Sequence, residues 1–445
     1  MKILFISLGC DKNLADSEEM LGLLTGSGHE IVDSEEEADA IVINTCCFIH
    51  DAKEESVNTI LEMAEYKKTG SCKALIVTGC MAQRYKEEIT QEIPEVDAVP
   101  GTTSYGDIVK ALNEAQAGNV FQEFRDINEL PEDSGRRVLT TGGHFGYLKI
   151  AEGCDKHCTY CIIPSLRGKF RSVPEERLLA QAEYMASQGV KELILVAQET
   201  TVYGTDLYGK KTLHILLKKL CQIKGIRWIR VLYCYPEEIY DELIQVMKEE
   251  KKICNYLDLP IQHASDRILK RMGRRTTRKQ LEDIIAKLRR EIPDIVLRTS
   301  LITGFPGETQ EDHEELMEFV DEMEFDRLGV FTYSPEEGTP AETMEGQVPE
   351  EVKEERRDEL MSLQQEISLE KGDERIGQEL LVMIEGKVSG ESAYIARTYA
   401  DAPKVDGYIF VQTGELLVTG DFARVRVTGA LEYDLIGELA DEYTE

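Results

Sequence analysis

Short apolar runs rich in Ile, Val and Leu recur along most of the chain, each followed by a longer amphipathic stretch. Runs of this kind read as strands buried on both faces, and their alternation with helical segments dictates parallel sheets covered by helices. Lys2–Ser7, Ala40–Thr45 and Ala74–Gly79 are such strands, with helices over Asp16–Ser27 and Asp51–Lys68 between them. Residues 1–125 are therefore expected to form an open parallel α/β domain. The polar stretch Asp126–Gly143 carries a proline and several glycines and reads as a linker. Alternation resumes in a second domain, residues 140–372. Its strands are expected at Gly146–Ala151, Glu192–Ala197, Trp228–Tyr233, Tyr256–Ile261, Val296–Ile302 and Arg327–Thr332. Glu175–Gln188 and Asp312–Glu324 are helical, and a charged helix covers about Glu350–Lys371. Six strand–helix units fall short of the eight of a closed barrel, so a partial β/α barrel is expected. Residues 373–445 change character. Leu380–Val388, Ala393–Arg397, Tyr408–Val411, Phe422–Thr428 and Tyr433–Gly437 are short strands between glycine turns, the pattern of a small antiparallel β-barrel.

Charge narrows the function. The 445 residues include 84 acidic and 51 basic side chains, a net charge of −33. Such a balance repels phosphate backbones and anionic membrane surfaces and favours basic partners. No apolar run approaches the roughly 18 residues of a membrane helix. Met1–Ile6 followed by Ser7-Leu8-Gly9-Cys10 is similar to a lipoprotein signal, but the apolar stretch is too short for a secretory core and an acidic helix follows at once. A first buried strand and a cytoplasmic location are expected. Eleven cysteines, an odd number in a long chain, argue against a disulfide framework and for metal binding.

Two groups of cysteines stand out. Cys154, Cys158 and Cys161 form a C-x3-C-x2-C run just after the first barrel strand, where β/α barrels place their active sites. Three thiolates so closely spaced can hold three irons of a four-iron cluster and leave the fourth open. A structural zinc with His157 as a further ligand is the alternative. Cys10, Cys46 and Cys80 each lie just past a strand of the first domain, at the carboxyl edge where open parallel sheets gather ligands. Buried cysteines also fill such places as small apolar residues. Cys47 faces away from Cys46 in an extended chain, so only one of the two should join the group. Cys72, Cys221, Cys234 and Cys254 have no partner at metal spacing and read as core thiols.

The C-x3-C-x2-C run, with Tyr160 before its last cysteine and a partial barrel around it, resembles the radical S-adenosylmethionine enzymes. The six cysteines in order resemble the methylthiotransferases within them. Ser7-Leu8-Gly9-Cys10, Asn44-Thr45-Cys46 and Thr78-Gly79-Cys80-Met81-Ala82-Gln83-Arg84-Tyr85 match that family's first three motifs, and the second selects Cys46 as the ligand. Ile162-Ile163-Pro164, Arg167-Gly168, Leu259-Pro260-Ile261-Gln262-His263 and Thr303-Gly304-Phe305-Pro306-Gly307-Glu308-Thr309 resemble its barrel motifs, and the terminal β-barrel resembles its TRAM domain.

The resemblance implies two four-iron, four-sulfur (4Fe–4S) clusters and S-adenosylmethionine. One cluster would be held by Cys154, Cys158 and Cys161 and the other by Cys10, Cys46 and Cys80. Tyr160, Gln198 and Arg298 are candidate S-adenosylmethionine contacts by position; no catalytic acid or base is assigned. From Asp373 onward the chain has about 15 acidic and 6 basic side chains. Arg397-Thr398-Tyr399-Ala400-Asp401-Ala402-Pro403 followed by Val405-Asp406-Gly407 resembles the TRAM of the branch that modifies the β-carbon of an aspartate in small-subunit ribosomal protein S-twelve, and the acidic balance favours that branch over the one that modifies an adenosine of tRNA. Asp11, Cys47 and Lys404 depart mildly from that branch's pattern. The expected partners are the basic ribosomal protein, met by TRAM acids such as Asp401 and Asp406, and a low-potential electron donor such as flavodoxin or ferredoxin. A monomer is expected. Lys270-Arg271-Met272-Gly273-Arg274-Arg275 with Arg278-Lys279 reads as a solvated helix face, and His263 as a packed histidine.

Overall fold

Ala40–Thr45 and Ala74–Gly79 are buried at every position, and burial on both faces is what makes the first sheet parallel. In the computed structural model, which describes residues 1–132 and 135–440, six strands form this sheet. They are β1 (Lys2–Ser7), β2 (Glu30–Val32), β3 (Ala40–Thr45), β4 (Ala74–Gly79), β5 (Ala98–Pro100) and β6 (Phe121–Glu123), in the order β2-β1-β3-β4-β5-β6. The direction of winding reverses between β1 and β3, and a crevice opens at the carboxyl ends of the strands flanking such a reversal. Three helices matter here: α1 (Asp11–Gly26), α2 (His50–Thr69) and α3 (Cys80–Tyr85). The first begins five residues before the expected Asp16. The polar residues Lys12 and Asn13 are buried against other elements rather than solvated, so they extend the helix.

The second sheet holds β7 (Phe145–Lys149), β8 (Glu192–Val196), β9 (Trp228–Val231), β10 (Ile253–Asp258), β11 (Val296–Thr303) and β12 (Arg327–Thr332). They are parallel neighbours in chain order, the expected partial barrel. The fourth strand lies three residues earlier than the sequence suggests. Pro260 cannot continue the ladder, and Gln262 turns the chain with φ +74°.

The terminal strands β13 (Glu379–Lys387), β14 (Ala393–Thr398), β15 (Ile409–Gln412), β16 (Phe422–Ala430) and β17 (Leu435–Leu439) close into a barrel in the order β13-β14-β15-β17-β16. One expectation needs correcting: β15 and β17 run parallel, so the barrel is not wholly antiparallel. The last strand must close the ring beside both β15 and β16, and those two run in opposite senses relative to it.

The terminal barrel is not a separate appendage. Phe145, Tyr147, Ile194, Val196, Trp228, Tyr256 and Val296 on the inner face of the partial barrel pack with Met383, Ala400, Ala402 and Phe422. A buried Arg–Glu–Arg set joins the same surfaces. Glu192 accepts from Arg230 Nε at 2.8 Å and from Arg397 Nη2 at 2.7 Å, and all three side chains are fully buried. Asp401 and Asp406, expected as exposed recognition acids, belong to this interface. Asp401 pairs with Arg327, and Asp406 accepts from Tyr256 Oη at 2.7 Å and faces Arg298 Nε at 3.4 Å. The acids are buried because arginines on the partial barrel supply their countercharge.

Part of the expected linker is packed. Asp133 and Ser134 lie outside the described residues, but Arg137 is buried, its Nε donating to Glu18 Oε2 at 2.8 Å. Val138 N donates to Glu18 O at 3.0 Å and Thr140 N to Glu18 Oε1 at 2.7 Å. Glu18 has no solvent exposure, and a buried carboxylate needs donors. This segment provides them.

Candidate iron–sulfur and cofactor sites

The loop leaving β7 carries Cys154, Cys158 and Cys161 into a short helix, α4 (Ile163–Arg167). Backbone bonds shape it: Cys154 N to Gly168 O, Thr159 N to Met272 O and Cys161 N to Cys158 O, at 2.9–3.1 Å. Burial, opposed by backbone donors and reinforced by neighbouring sulfurs, pushes the Cys154 and Cys161 thiols up to about 12. Bare thiolates crowded here repel each other, and bound iron would offset that repulsion. His157 is exposed, and among the described residues no three His, Cys, Asp or Glu side chains surround a single-ion position. A four-iron cluster asks for wider spacing, because each thiolate binds its own iron.

Around this loop lie polar atoms without partners among the described residues. Gln198, just beyond β8, has a buried Oε1 with no donor, and the adjoining Glu199 has a buried Oε2 with none. Burial raises the Glu199 carboxyl to about 7, against the pull of Thr201 and Lys156. Arg274 lies over the Tyr235 ring at 4.3 Å, with Nε and Nη1 buried and unpaired. Tyr235 Oη is 3.8 Å from Cys158 Sγ. Tyr160 packs edge-on to Phe305 with ring centroids 6.4 Å apart; burial and the Cys158 sulfur drive its phenol upward. Unpaired acceptors suit an ammonium, unpaired guanidinium N–H groups suit a carboxylate, and the thiolates suit iron. That donor set fits S-adenosylmethionine bound at an open iron.

Tyr160 lies within the cysteine loop and Gln198 just beyond β8, the strand beside β7, whereas Arg298 is engaged elsewhere. Arg298 Nη1 donates to Asp258 at 2.8 Å, and Nε faces Asp406 of the terminal barrel. Glu199 and Arg274 were missed by sequence reasoning. Arg274 lay inside what read as a solvated basic face, yet it is buried, while Arg271 donates to Pro306 O and Arg278 pairs with Glu282 and Glu322. The one signal for Glu199 was a carboxylate directly after an apolar strand. His263 is buried; its Nδ1 accepts from Ala264 N and Ser265 N, as a packed histidine should.

Cys10, Cys46 and Cys80 follow β1, β3 and β4, with the first two flanking the winding reversal. Gly9 has φ +85°, and a Cβ there would stand 2.6 Å from Cys46 Cβ and 2.9 Å from its Sγ, so only glycine lets these strand ends approach. Gly79, at φ +91°, similarly lies against Asn44 Oδ1 and Thr45 O. Ser56 Oγ accepts from Cys46 N and donates to Cys46 O, fixing that residue from α2. Burial, then the Cys80 and Cys10 sulfurs, push the Cys46 thiol up to about 12. Cys47 belongs to an apolar cluster with Ile43, Val77 and Met81 that also includes Cys80. Ile162, next to Cys161, joins that cluster, so the two cysteine regions share one wall. Cys72, Cys221, Cys234 and Cys254 are all buried.

The first domain bridges the mouth of the partial barrel. On one side Lys12 Nζ sits 3.2 Å over the Tyr233 ring. On the other, Arg84 donates to Glu336 Oε2 at 3.0 Å and Glu337 O at 2.8 Å.

The fold and the cysteine loop define a radical S-adenosylmethionine enzyme. Residues 148–320 match the radical SAM superfamily, residues 2–101 an uncharacterized protein family, UPF0004, and residues 376–440 the TRAM domain. Full-length relatives are named ribosomal protein uS12 methylthiotransferase RimO. That of Lachnoclostridium phytofermentans is 64% identical, covering 98% of this chain and 99% of its own. That of Pelotomaculum thermopropionicum is 52% identical, with coverage of 98% and 99%. The chain belongs to the RimO methylthiotransferase family. Among solved structures it is similar in fold to the radical S-adenosylmethionine methyltransferase TsrM of Kitasatospora setae. The TM-score is 0.56 at 14% identity, covering 76% of this chain and 73% of that one. As a radical SAM enzyme, the protein uses S-adenosylmethionine and an iron–sulfur cluster.

Proposed function

We propose that this protein transfers a methylthio group to the β-carbon of an aspartate in ribosomal protein uS12. The observation that carries the reading is 64% identity over 98% of the chain to a relative named ribosomal protein uS12 methylthiotransferase. Cys154, Cys158 and Cys161 hold one 4Fe–4S cluster, and Cys10, Cys46 and Cys80 hold a second. When bound at Cys154, Cys158 and Cys161, a cluster would supply the electron for reductive cleavage of S-adenosylmethionine. Gln198 and Glu199 offer acceptors to the cofactor's ammonium, and Arg274 offers its free N–H groups to the carboxylate. Tyr160, edge-on against Phe305, forms one wall of the loop. An external low-potential donor supplies the electrons. The acids left to attract a basic substrate are exposed ones on the terminal barrel, such as Glu391, Glu415, Glu432 and Glu438, because Asp401 and Asp406 are committed to the interface.

The test is mass spectrometry of uS12 and of tRNA after incubation with the anaerobically reconstituted protein, S-adenosylmethionine, sulfide as the sulfur source and a reductant. A methylthio mass increment on one aspartate of uS12, with tRNA unchanged, is expected. Modification of tRNA alone would overturn the assignment.

A further inference from the structure

Arg167 belongs to the barrel, six residues beyond Cys161, yet its guanidinium ends in the first domain. Its side chain is 4% exposed. Nη2 donates to Cys80 Sγ at 3.6 Å and to Asn13 Oδ1 at 2.8 Å, while Nη1 donates to Asp16 Oδ2 at 2.7 Å and faces Glu152 Oε1 at 3.5 Å. Asn13 passes the contact on: its Nδ2 donates to Leu8 O and Thr45 O, both at 2.9 Å. Those carbonyls lie just before Cys10 and immediately before Cys46. One guanidinium from the radical loop thus touches one cysteine of the other group directly and braces the strand ends of the remaining two. Its charge is balanced locally, since Lys149 and Arg167 face Asp16 and Glu152. What distinguishes Arg167 is therefore its N–H donation to sulfur.

We propose that Arg167 is a positioning residue of the second cluster, holding the Cys80 thiolate and raising the cluster's reduction potential through that bond. Reduction makes the cluster more negative, so a charged donor to a ligand sulfur stabilises the reduced form more than the oxidised one. The same side chain would tie the second cluster's electronic state to the loop that carries the first.

The proposal rests on Cys80 being a ligand of a second cluster. The full chain carrying Ala at Cys154, Cys158 and Cys161 isolates that cluster for redox titration followed by electron paramagnetic resonance. Cys80→Ala in this background reads the underlying assignment separately: it loses iron if Cys80 is a ligand, whatever Arg167 does. Arg167→Met should keep the iron and lower the midpoint potential. At the parent's midpoint the reduced-to-oxidised ratio should fall about tenfold, which is about 59 mV for a one-electron couple. Arg167→Lys should restore part of the shift. Glu152→Gln, which disturbs the same guanidinium without removing the donor to sulfur, should not lower the potential. An unchanged midpoint in Arg167→Met, or an equal fall in Glu152→Gln, overturns the proposal. If Arg167→Met does not fold, Arg167→Gln carries the same expectation, and an unchanged midpoint there overturns it.

Discussion

Cys46 and Cys47 are adjacent and both buried, yet their surroundings differ. Cys46 lies against Gly9 and is pinned by Ser56, whereas Cys47 fills an apolar cluster beside Ile43 and Met81. Cys46→Ala should lose about half the protein's iron and keep reductive cleavage of S-adenosylmethionine, because the barrel cysteines are untouched. Cys47→Ala should keep both clusters, at the modest stability cost of a small cavity. Iron analysis and release of 5′-deoxyadenosine check the pair. Arg274 makes a second test at this scale. Arg274→Leu removes the unpaired N–H groups near Cys158 while leaving every proposed iron ligand in place. Losing one charge-assisted bond of about 1.5–3 kcal/mol predicts roughly a tenfold to hundredfold rise in the KM for S-adenosylmethionine, with iron content unchanged. An unaltered KM would remove Arg274 from the cofactor site.

Strand ends and the elements that follow them do most of the placing. Cys80 is the first residue of α3, Cys10 directly precedes α1, and the barrel cysteines lie between β7 and α4. At the opposite side, the turn after β14 carries Asp401 against Arg327 of β12. Thr398 N and Oγ1 also donate to Asp401, so the carboxylate anchors the turn as well as the ion pair. Asp401→Ala leaves Arg327 largely buried without its partner, a change that costs about 3–5 kcal/mol. Denaturant unfolding of the full chain should show that loss. A surface acid would show almost none. Charge reversal at Asp401 or Asp406 would therefore report on docking of the terminal barrel, not on substrate recognition.

At the scale of the whole molecule, the junction of first domain and partial barrel is ionic and buried. Glu152 is buried, and although burial opposes its charge, Lys149 and Arg167 outweigh that and hold its carboxyl at about 2, below the ordinary 4.5. A depressed carboxyl pKa contributes stability that is complete above the unfolded value and disappears as pH falls through the folded one. The pairing of Glu152 with Lys149 and Arg167, all three on the partial barrel, should be complete above pH about 4.5 and weaken progressively toward pH about 2. Circular dichroism during acid titration should show this, and Glu152→Gln should flatten that part of the profile. The terminal barrel, packed into the inner face of the partial barrel through Met383 and Phe422, should unfold with it rather than independently.

Sequence pattern by itself determined the strands and the parallel sheets, because apolar runs buried on both faces are local properties of the chain, and close spacing singled out Cys154, Cys158 and Cys161 as a group. The branch-specific residues of the last domain were legible for the same reason. What only the tertiary structure decided was which charges are free. Arg274, Arg298, Asp401 and Asp406 look alike as exposed charges in a sequence, but their burial and countercharge come from other elements, 74 positions away between Asp401 and Arg327 and more than a hundred between Asp406 and Arg298. The contact from Arg167 to Cys80 spans 87 residues and crosses between two sheets, so no local pattern encodes it.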